Sequence, residues 1–132
     1  NYAESGFGEA SIEAFIEDMP AAFAAADLVV GRAGATTCAE LAAARRAAIL
    51  VPFAGAADDH QAGNAAELAR VGGAEVILES EWTPKLFARR ILYYLARRER
   101  LTAMEEGLAA LRTEGAAARI ADRALAMMRG AD

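Results

Sequence analysis

Two short polar segments carry the residues best suited to chemistry, and each follows an apolar stretch. The first reads Gly34-Ala-Thr-Thr37. At the start of a helix, the backbone N–H groups of Ala35, Thr36 and Thr37 could hold a diphosphate. Gly34 allows unusual backbone angles, and the small Ala35 allows close approach of a ligand. The alternative is a plain strand-to-helix turn with a threonine cap, since neither a Gly-x-Gly-x-x-Gly motif nor a P-loop is present.

Glu40 has two interpretations. The spacing Thr37-x-x-Glu40 fits a capping box, in which the carboxylate bonds to the start of its own helix. A carboxylate one turn into the helix can also accept hydrogen bonds from both hydroxyls of a ribose. The spacing leaves both roles open.

The second polar segment starts a helix at Asp58 or Asp59 and places His60, Gln61 and Asn64 on one helix face. A capping box over Asp58-x-x-Gln61 explains part of it, but three polar side chains exceed what a cap needs. Contact with a ligand is therefore favoured. His60 is the only histidine and no cysteine lies near it in the sequence, so no metal site is predicted.

Alternating strands and helices must position these segments. Apolar runs without alternation predict buried parallel strands, and repeated strand–helix units predict an open α/β sheet with right-handed crossovers. Ligands of such sheets bind beyond the carboxyl ends of the strands, where both polar segments lie. The predicted strands cover 11–16, 28–30, 48–51 and 74–78; the predicted helices begin at Asp18, at Thr36 or Thr37, at Asp58 or Asp59, and at Pro84, and Gly72-Gly73 ends the third.

Composition narrows the class of protein. A chain of 132 residues, 55% of them hydrophobic, predicts one domain with a real core. The net charge of −5 argues against nucleic acid as a partner. The single cysteine, Cys38, is typical of a reducing compartment, and no apolar run reaches the roughly 20 residues of a membrane span. The basic run over 85–100 is interpreted as a solvated helix face, with contact to anionic lipid as the lesser alternative.

Six segments, in this order and spacing, resemble the MurG family of peptidoglycan glycosyltransferases. The resemblance extends over nearly the whole chain and is weakest after Glu81. The matching segments are Phe15-Ile-Glu-Asp-Met19, Ala26-Asp-Leu-Val-Val30, Arg32-Ala-Gly-Ala-Thr-Thr-Cys-Ala-Glu-Leu41, Val51-Pro-Phe53, Asp58-Asp-His-Gln61 and Asn64-Ala65.

The resemblance implies a Rossmann-like open parallel sheet with flanking helices, as part of the C-terminal domain of a GT-B enzyme. That domain binds UDP-N-acetylglucosamine, and the enzyme transfers N-acetylglucosamine to lipid I with inversion. The product, lipid II, serves peptidoglycan synthesis and through it cell shape and division. No metal or other cofactor is implied.

The resemblance also assigns roles to single residues. Phe15 and Ile16 flank the uracil, and the backbone of Ile16 reads its edge. Glu40 accepts the ribose hydroxyls. The remaining substrate contacts are to the diphosphate, from Gly34, Ala35, Thr36 and Thr37, and to the sugar, from Gln61 and Asn64 with His60 beside them. No catalytic residue is expected within this chain, because the family's proposed base belongs to the other domain.

Residues 1–132 are expected to form a partial donor domain without its first strands and without the N-terminal acceptor domain, and to be inactive alone. The resemblance implies a cytoplasmic protein, peripheral on the plasma membrane, that meets lipid I through the acceptor domain. Two alternatives stay open: another GT-B enzyme using a UDP-sugar, such as a glycolipid synthase or an epimerase, and a non-catalytic nucleotide-sugar-binding subunit that needs a partner chain. The upstream reading frame would separate them.

Overall fold

A computed structural model describes residues 9–55 and 59–114, together with residues 122, 125, 126 and 129. Three parallel strands lie side by side in chain order: β1 (Val29–Gly31), β2 (Ala48–Leu50) and β3 (Ala74–Val76). Five helices surround them: α1 (Met19–Ala25), α2 (Ala35–Ala44), α3 (Asp59–Arg70), α4 (Pro84–Leu95) and α5 (Arg98–Glu114).

Local sequence signals account for several helix ends. The Asp18 side chain accepts a hydrogen bond from the Ala21 N–H at 3.0 Å, and Pro20 sits in the first turn of α1. Thr83 caps α4 in the same way through the Leu86 N–H. The predicted cap at Asp18 is confirmed, and both helices use a proline where no N–H is needed.

Glycine ends α3 as predicted. Gly72 has a φ of 76°, the left-handed conformation that glycine adopts without steric cost. Its N–H donates to the Ala69 carbonyl, and the Gly73 N–H donates to the Leu68 carbonyl, both at 2.9 Å. The chain therefore reverses at once into β3.

The sheet separates two apolar cores of different composition. One face packs against α1, α2 and α3, with many alanines between leucines such as Leu41 and Leu68. The other face packs against α4 and is built from larger side chains, among them Ile49, Ile77 and Tyr94. Burying each large aliphatic side chain contributes about 1.5–3 kcal/mol, so both faces are needed for the stability of a sheet this small.

Helix α5 belongs to both cores. Its first half contributes Leu101 and Met104 to the α4 side, and its second half contributes Leu108 to the other side. A Cβ on Gly107 would lie 2.0 Å from the Val71 carbonyl oxygen. Glycine is thus required where α5 crosses the end of α3.

The three predicted strands at 28–30, 48–51 and 74–78 are confirmed in shorter form, and with them the open parallel α/β sheet. The strand predicted over 11–16 is wrong, since that segment forms neither helix nor strand. Its apolar residues, Ile12, Phe15 and Ile16, do not alternate, and all three are exposed. The predictions for residues 1–8, for a cap at Asp58 and for most of the chain after Gly115 lie outside the described residues.

Candidate functional site

The start of α2 lies beyond the carboxyl end of β1 and presents free backbone donors. Gly34 is the N-cap residue, and no side chain caps the helix. The first bond of the helix runs from the Cys38 N–H to the Gly34 carbonyl at 2.9 Å. The N–H groups of Ala35, Thr36 and Thr37 precede that bond, and none of the described residues supplies them with an acceptor. Such a helix start suits an anion.

This geometry corrects two predictions. The helix starts at Ala35 rather than at Thr36 or Thr37, so Thr37 is not its cap, and the capping box with Glu40 is wrong. Gly34 has a φ of −61° and a ψ of 148°, angles that any residue adopts, so the conformational freedom of glycine is not used here. A Cβ on Gly34 would meet only the Thr37 hydroxyl oxygen, at 3.9 Å. Nothing within the described chain demands glycine here.

Glu40 lies in the second turn of α2, half-buried. It lines a cavity of about 290 Å³ between α1 and α2, together with Pro20, Ala24 and Ala43. Its carboxylate has no hydrogen bond and no ion pair with any residue that the structure describes. The capping role being excluded, the carboxylate is left available to a ligand.

Phe15 and Ile16 lie just before α1 in the chain. They precede Met19, where α1 begins, and α1 supplies the other wall of the cavity that holds Glu40. The Phe15 side chain is 78% exposed. A ring left in solvent is free to stack on a planar ligand, as the predicted uracil contact requires.

The polar side chains of α3 hold the neighbouring loops. The Gln61 Oε1 accepts a hydrogen bond from the Phe53 N–H at 2.9 Å, and the Asn64 Nδ2 donates to the Ala33 carbonyl at 3.1 Å. Asn64 is 1% exposed, whereas His60 in the first turn is exposed. The structure thus brings Gln61 and Asn64 to the loops after β2 and β1. Their contact with a sugar stays a prediction.

Sequence reasoning missed an ion pair at the same edge. The Arg32 Nη2 lies 2.8 Å from the Glu79 Oε1, and the Glu79 Oε2 accepts from the Ala54 N–H at 3.2 Å. These two interactions, the bond from Arg32 first, hold the pKa of Glu79 below its ordinary value. Arg32 also donates to the Val51 carbonyl at 3.4 Å. Both charged residues follow strands closely, which is the signal that could have revealed them.

A cavity of about 370 Å³ opens beside this ion pair, on the α4 side of the sheet. Apolar groups dominate its wall, and the ion pair supplies the polar part. Its lining residues are Val30, Gly31, Arg32, Val51, Glu79, Trp82 and Phe87.

Two further properties bear on the site. Within 9–55 and 59–114, no three histidine, cysteine, aspartate or glutamate side chains come together in a way that could hold a metal ion. None of the helices in the described part of the chain is long and apolar enough to cross a membrane.

Comparison with known proteins gives consistent matches. Residues 2–120 match the family model of the glycosyltransferase family 28 C-terminal domain. The chain is 48% identical over 119 residues to a protein of Syntrophotalea carbinolica and 45% identical over 127 residues to one of Myxococcus xanthus. Both relatives are named UDP-N-acetylglucosamine–N-acetylmuramyl-(pentapeptide) pyrophosphoryl-undecaprenol N-acetylglucosamine transferase.

The matches cover 90% and 96% of this chain but 33% of each relative, so the chain spans about a third of their length. A crystal structure of Acinetobacter baumannii MurG superimposes with a TM-score of 0.69 at 33% sequence identity. That match covers 90% of this chain and 37% of the other. The sheet with its flanking helices is therefore the architecture of that protein's corresponding part.

Proposed function

Because the chain belongs to the glycosyltransferase family 28 C-terminal domain family, we propose that it is the donor-binding part of an N-acetylglucosamine transferase. The donor is UDP-N-acetylglucosamine, and the acceptor is the lipid-linked muramyl-pentapeptide, lipid I. The names of relatives more than 40% identical support both substrates. The product, lipid II, feeds peptidoglycan synthesis.

In the proposed complex, the nucleotide lies along α1 and the start of α2. Phe15 and Ile16 flank the uracil, and Glu40 accepts hydrogen bonds from the ribose hydroxyls. The diphosphate meets the free N–H groups of Ala35, Thr36 and Thr37, with Gly34 leaving room for it. The sugar is proposed to lie next to α3, where it faces His60, Gln61 and Asn64. The last two would contact it through the loops that they hold or after local rearrangement, because both side chains already bond to backbone groups.

The proposed reaction is a direct displacement with inversion. The acceptor hydroxyl oxygen attacks the anomeric carbon of N-acetylglucosamine, and the bond from that carbon to the β-phosphate oxygen breaks. The electron pair leaves with UDP, and the hydroxyl proton passes to a base outside this chain. Negative charge grows on the leaving diphosphate, where the N–H groups and the positive end of α2 stabilise it. No metal is needed for this step.

A single observation carries the proposal: α2 begins with uncapped N–H groups, and one turn further the Glu40 carboxylate has no partner among the described residues. An anion site and a hydroxyl acceptor at this spacing fit the diphosphate and ribose of one nucleotide. The glutamate is not needed for the helix, which removes the competing explanation for it.

Glu40→Gln tests the proposal, with affinity for UDP and UDP-N-acetylglucosamine measured by calorimetry on the full-length protein. Loss of charge-assisted hydrogen bonds is expected to weaken both ligands by about 1.5–3 kcal/mol, roughly ten- to a hundredfold. Glu106→Gln makes the same chemical change on the exposed side of α5 and should leave both affinities unchanged. Unaltered affinity in Glu40→Gln would exclude the ribose role.

Base specificity gives an independent test. UDP-N-acetylglucosamine should bind more tightly than UDP-glucose or GDP-sugars. Equal affinity for UDP- and GDP-sugars would remove the assignment of the uracil to Phe15 and Ile16. Binding should also survive a chelator, since the proposed donor complex contains no metal.

The proposal also covers how the lipid-linked acceptor is bound and where in the cell the protein works. The acceptor would bind through the part of the relatives' length that this chain does not span, and the protein would work at the cytoplasmic face of the plasma membrane. The 132-residue chain alone should not transfer sugar to a lipid I analogue, because positioning of both substrates supplies much of the rate. Turnover by the purified chain would contradict this.

A further inference from the structure

Positive charge is concentrated on α4 and on the turn that follows it. Residues 82–98 contain five of the chain's 14 lysines and arginines and none of its 19 acidic residues. The whole chain carries a net charge of −5. A basic helix on an acidic domain therefore creates a local positive field against the trend of the molecule.

Only part of this charge is neutralised within the domain. Arg90 pairs with Glu75, and Arg98 pairs with Asp27. Lys85, Arg89 and Arg97 have no carboxylate within ion-pair distance in the described part of the chain. The positive charge that faces solvent is concentrated on these three side chains.

Tyr93 organises the arginines into a groove. The guanidinium carbons of Arg90 and Arg97 lie 4.5 and 4.3 Å from the centre of its ring, and Arg97 also donates to the Tyr93 carbonyl at 3.3 Å. Together with Arg89 and Leu92 they line a cavity of about 580 Å³. The Arg90 donors are largely taken by Glu75, but the cation–π contact holds the Arg97 guanidinium in place without consuming its remaining N–H groups, so the groove presents oriented donors of Arg97 to an anion.

Large apolar side chains are exposed beside these donors. Leu92 is 66% exposed at the centre of the outward face of α4, and Leu95 is exposed one turn further on. The core-facing side of the helix is already occupied by Phe87, Ile91 and Tyr94. The outer leucines therefore lie outside the core that the described residues form. We call this surface, defined by Lys85, Arg89, Leu92 and Leu95 on α4 together with Arg97 just beyond its end, the α4 outer face.

We propose that the α4 outer face rests on an anionic phospholipid surface. Lys85, Arg89 and Arg97 contact lipid phosphates, and Leu92 and Leu95 enter the boundary between headgroups and acyl chains. A soluble phosphate would use the arginines but not the leucines. Cations with leucines on one helix face are the combination that interfacial helices use. This inference gives a surface to the membrane association proposed above.

Vesicle co-sedimentation of the 132-residue chain at low salt tests it. The chain should sediment with vesicles of equimolar phosphatidylglycerol and phosphatidylcholine, and not with phosphatidylcholine alone. Arg89→Gln/Arg97→Gln should lower the partition coefficient roughly 30-fold, the effect of two cations at an anionic surface. Arg45→Gln/Arg70→Gln removes the same charge at the ends of α2 and α3 and should leave partitioning nearly intact. Leu92→Ala should weaken binding without altering charge.

Several outcomes would overturn the proposal. Failure of the chain to bind the anionic vesicles would do so, as would loss of binding to the same extent in both double variants. Unchanged binding of Leu92→Ala, or release of the chain from the vesicles by glycerol phosphate at constant ionic strength, would contradict it equally. A salt-sensitive dimer that Arg89→Gln/Arg97→Gln abolishes in the absence of lipid would assign the face to a second copy instead. Thermal melts of each variant verify folding. Nucleotide affinity is measured separately, so failure here leaves the donor site untouched.

Discussion

Two of the arginine–glutamate clusters in the described residues, one at Glu75 and one at Glu79, use the same chemistry in different surroundings. On the α4 side of the sheet, Arg90 makes a bidentate contact to Glu75, with N–O distances of 2.8 Å to each carboxylate oxygen, and the Tyr94 hydroxyl donates to the same carboxylate at 2.5 Å. At the carboxyl edge, Glu79 holds Arg32 and the Ala54 N–H. The Glu75 cluster joins β3 to α4, the helix that covers it. The Glu79 cluster joins the loops that follow β1, β2 and β3.

Burial separates the two clusters further. The side chains of Arg90 and Glu75 are 31% and 24% exposed, whereas those of Arg32 and Glu79 are 50% and 38% exposed. Partial burial strengthens an ion pair and raises the cost of breaking it, while solvent weakens an exposed pair. The Glu75 cluster therefore stabilises the domain, whereas the Glu79 cluster shapes the edge of the sheet where the donor is proposed to bind.

The largest expected effect comes from removing the carboxylate of the Glu75 cluster. Glu75→Ala leaves the Arg90 guanidinium and the buried Tyr94 hydroxyl without their main acceptor, and the free energy of unfolding should fall by about 2–3 kcal/mol. Glu79→Ala should change it little. Urea unfolding of both variants measures the difference, and equal destabilisation would break the comparison.

Residues at the carboxyl ends of the strands, such as Glu79, are expected to contribute little to stability, and Asn64 is the expected exception. It is buried like a core residue, and its amide satisfies the Ala33 carbonyl. Asn64→Ala should therefore lower the free energy of unfolding by about 1–2 kcal/mol, although the residue belongs to the proposed donor site. The same denaturation experiment measures this. A stability equal to wild type would mean that Asn64 belongs to the ligand alone.

Gly34→Ala should separate ligand binding from stability. Gly34 has ordinary backbone angles and space for a Cβ, so the free energy of unfolding should change by less than about 0.5 kcal/mol. A methyl group at the start of α2 should nevertheless obstruct the diphosphate and weaken UDP binding about tenfold, by analogy with glycines that permit close backbone approach. Paired calorimetry and melting measurements decide it; unchanged affinity would move the diphosphate away from this glycine.

The smallest expected effect is on pH dependence. The pKa of Glu79 is lowered by its bonds from Arg32 and the Ala54 N–H, so its contribution to stability is present above about pH 4.5 and is lost as the pH falls through the lowered value. Glu79→Gln should therefore flatten the acid side of the stability profile slightly. Thermal melts between neutral and acid pH compare it with wild type, and identical profiles would show that the carboxylate is not held by these bonds.

Sequence predicted the parts of the fold that local patterns determine. Apolar runs identified the three strands, and Asp18 and Gly72 marked helix ends through their side-chain and backbone chemistry. The start of α2 was misplaced because threonine is a common cap, and the uncapped Gly34 was not expected there. The strand at 11–16 was predicted from apolar content without alternation.

The candidate site was predicted only where neighbours in sequence are neighbours in space. The free N–H groups at Ala35 to Thr37 follow from a single turn of helix. The Arg32–Glu79 pair joins residues 47 positions apart, and the bond from Asn64 to Ala33 spans 31. A position just after a strand marks a charged residue as belonging to this edge of the sheet. Which residue it pairs with depends on which strands lie side by side and on where each loop turns, and no local pattern encodes that.

The crossing of α5 between the two cores has a consequence for how the domain opens. A helix anchored on both faces, with Gly107 against the end of α3, cannot leave one core without disturbing the other. Amide protons of β2 and of the middle of α5 should therefore exchange with solvent in one cooperative event, while those of α1 exchange earlier through local fraying. The two chemically distinct cores on either side of the sheet would then unfold as a single cooperative unit.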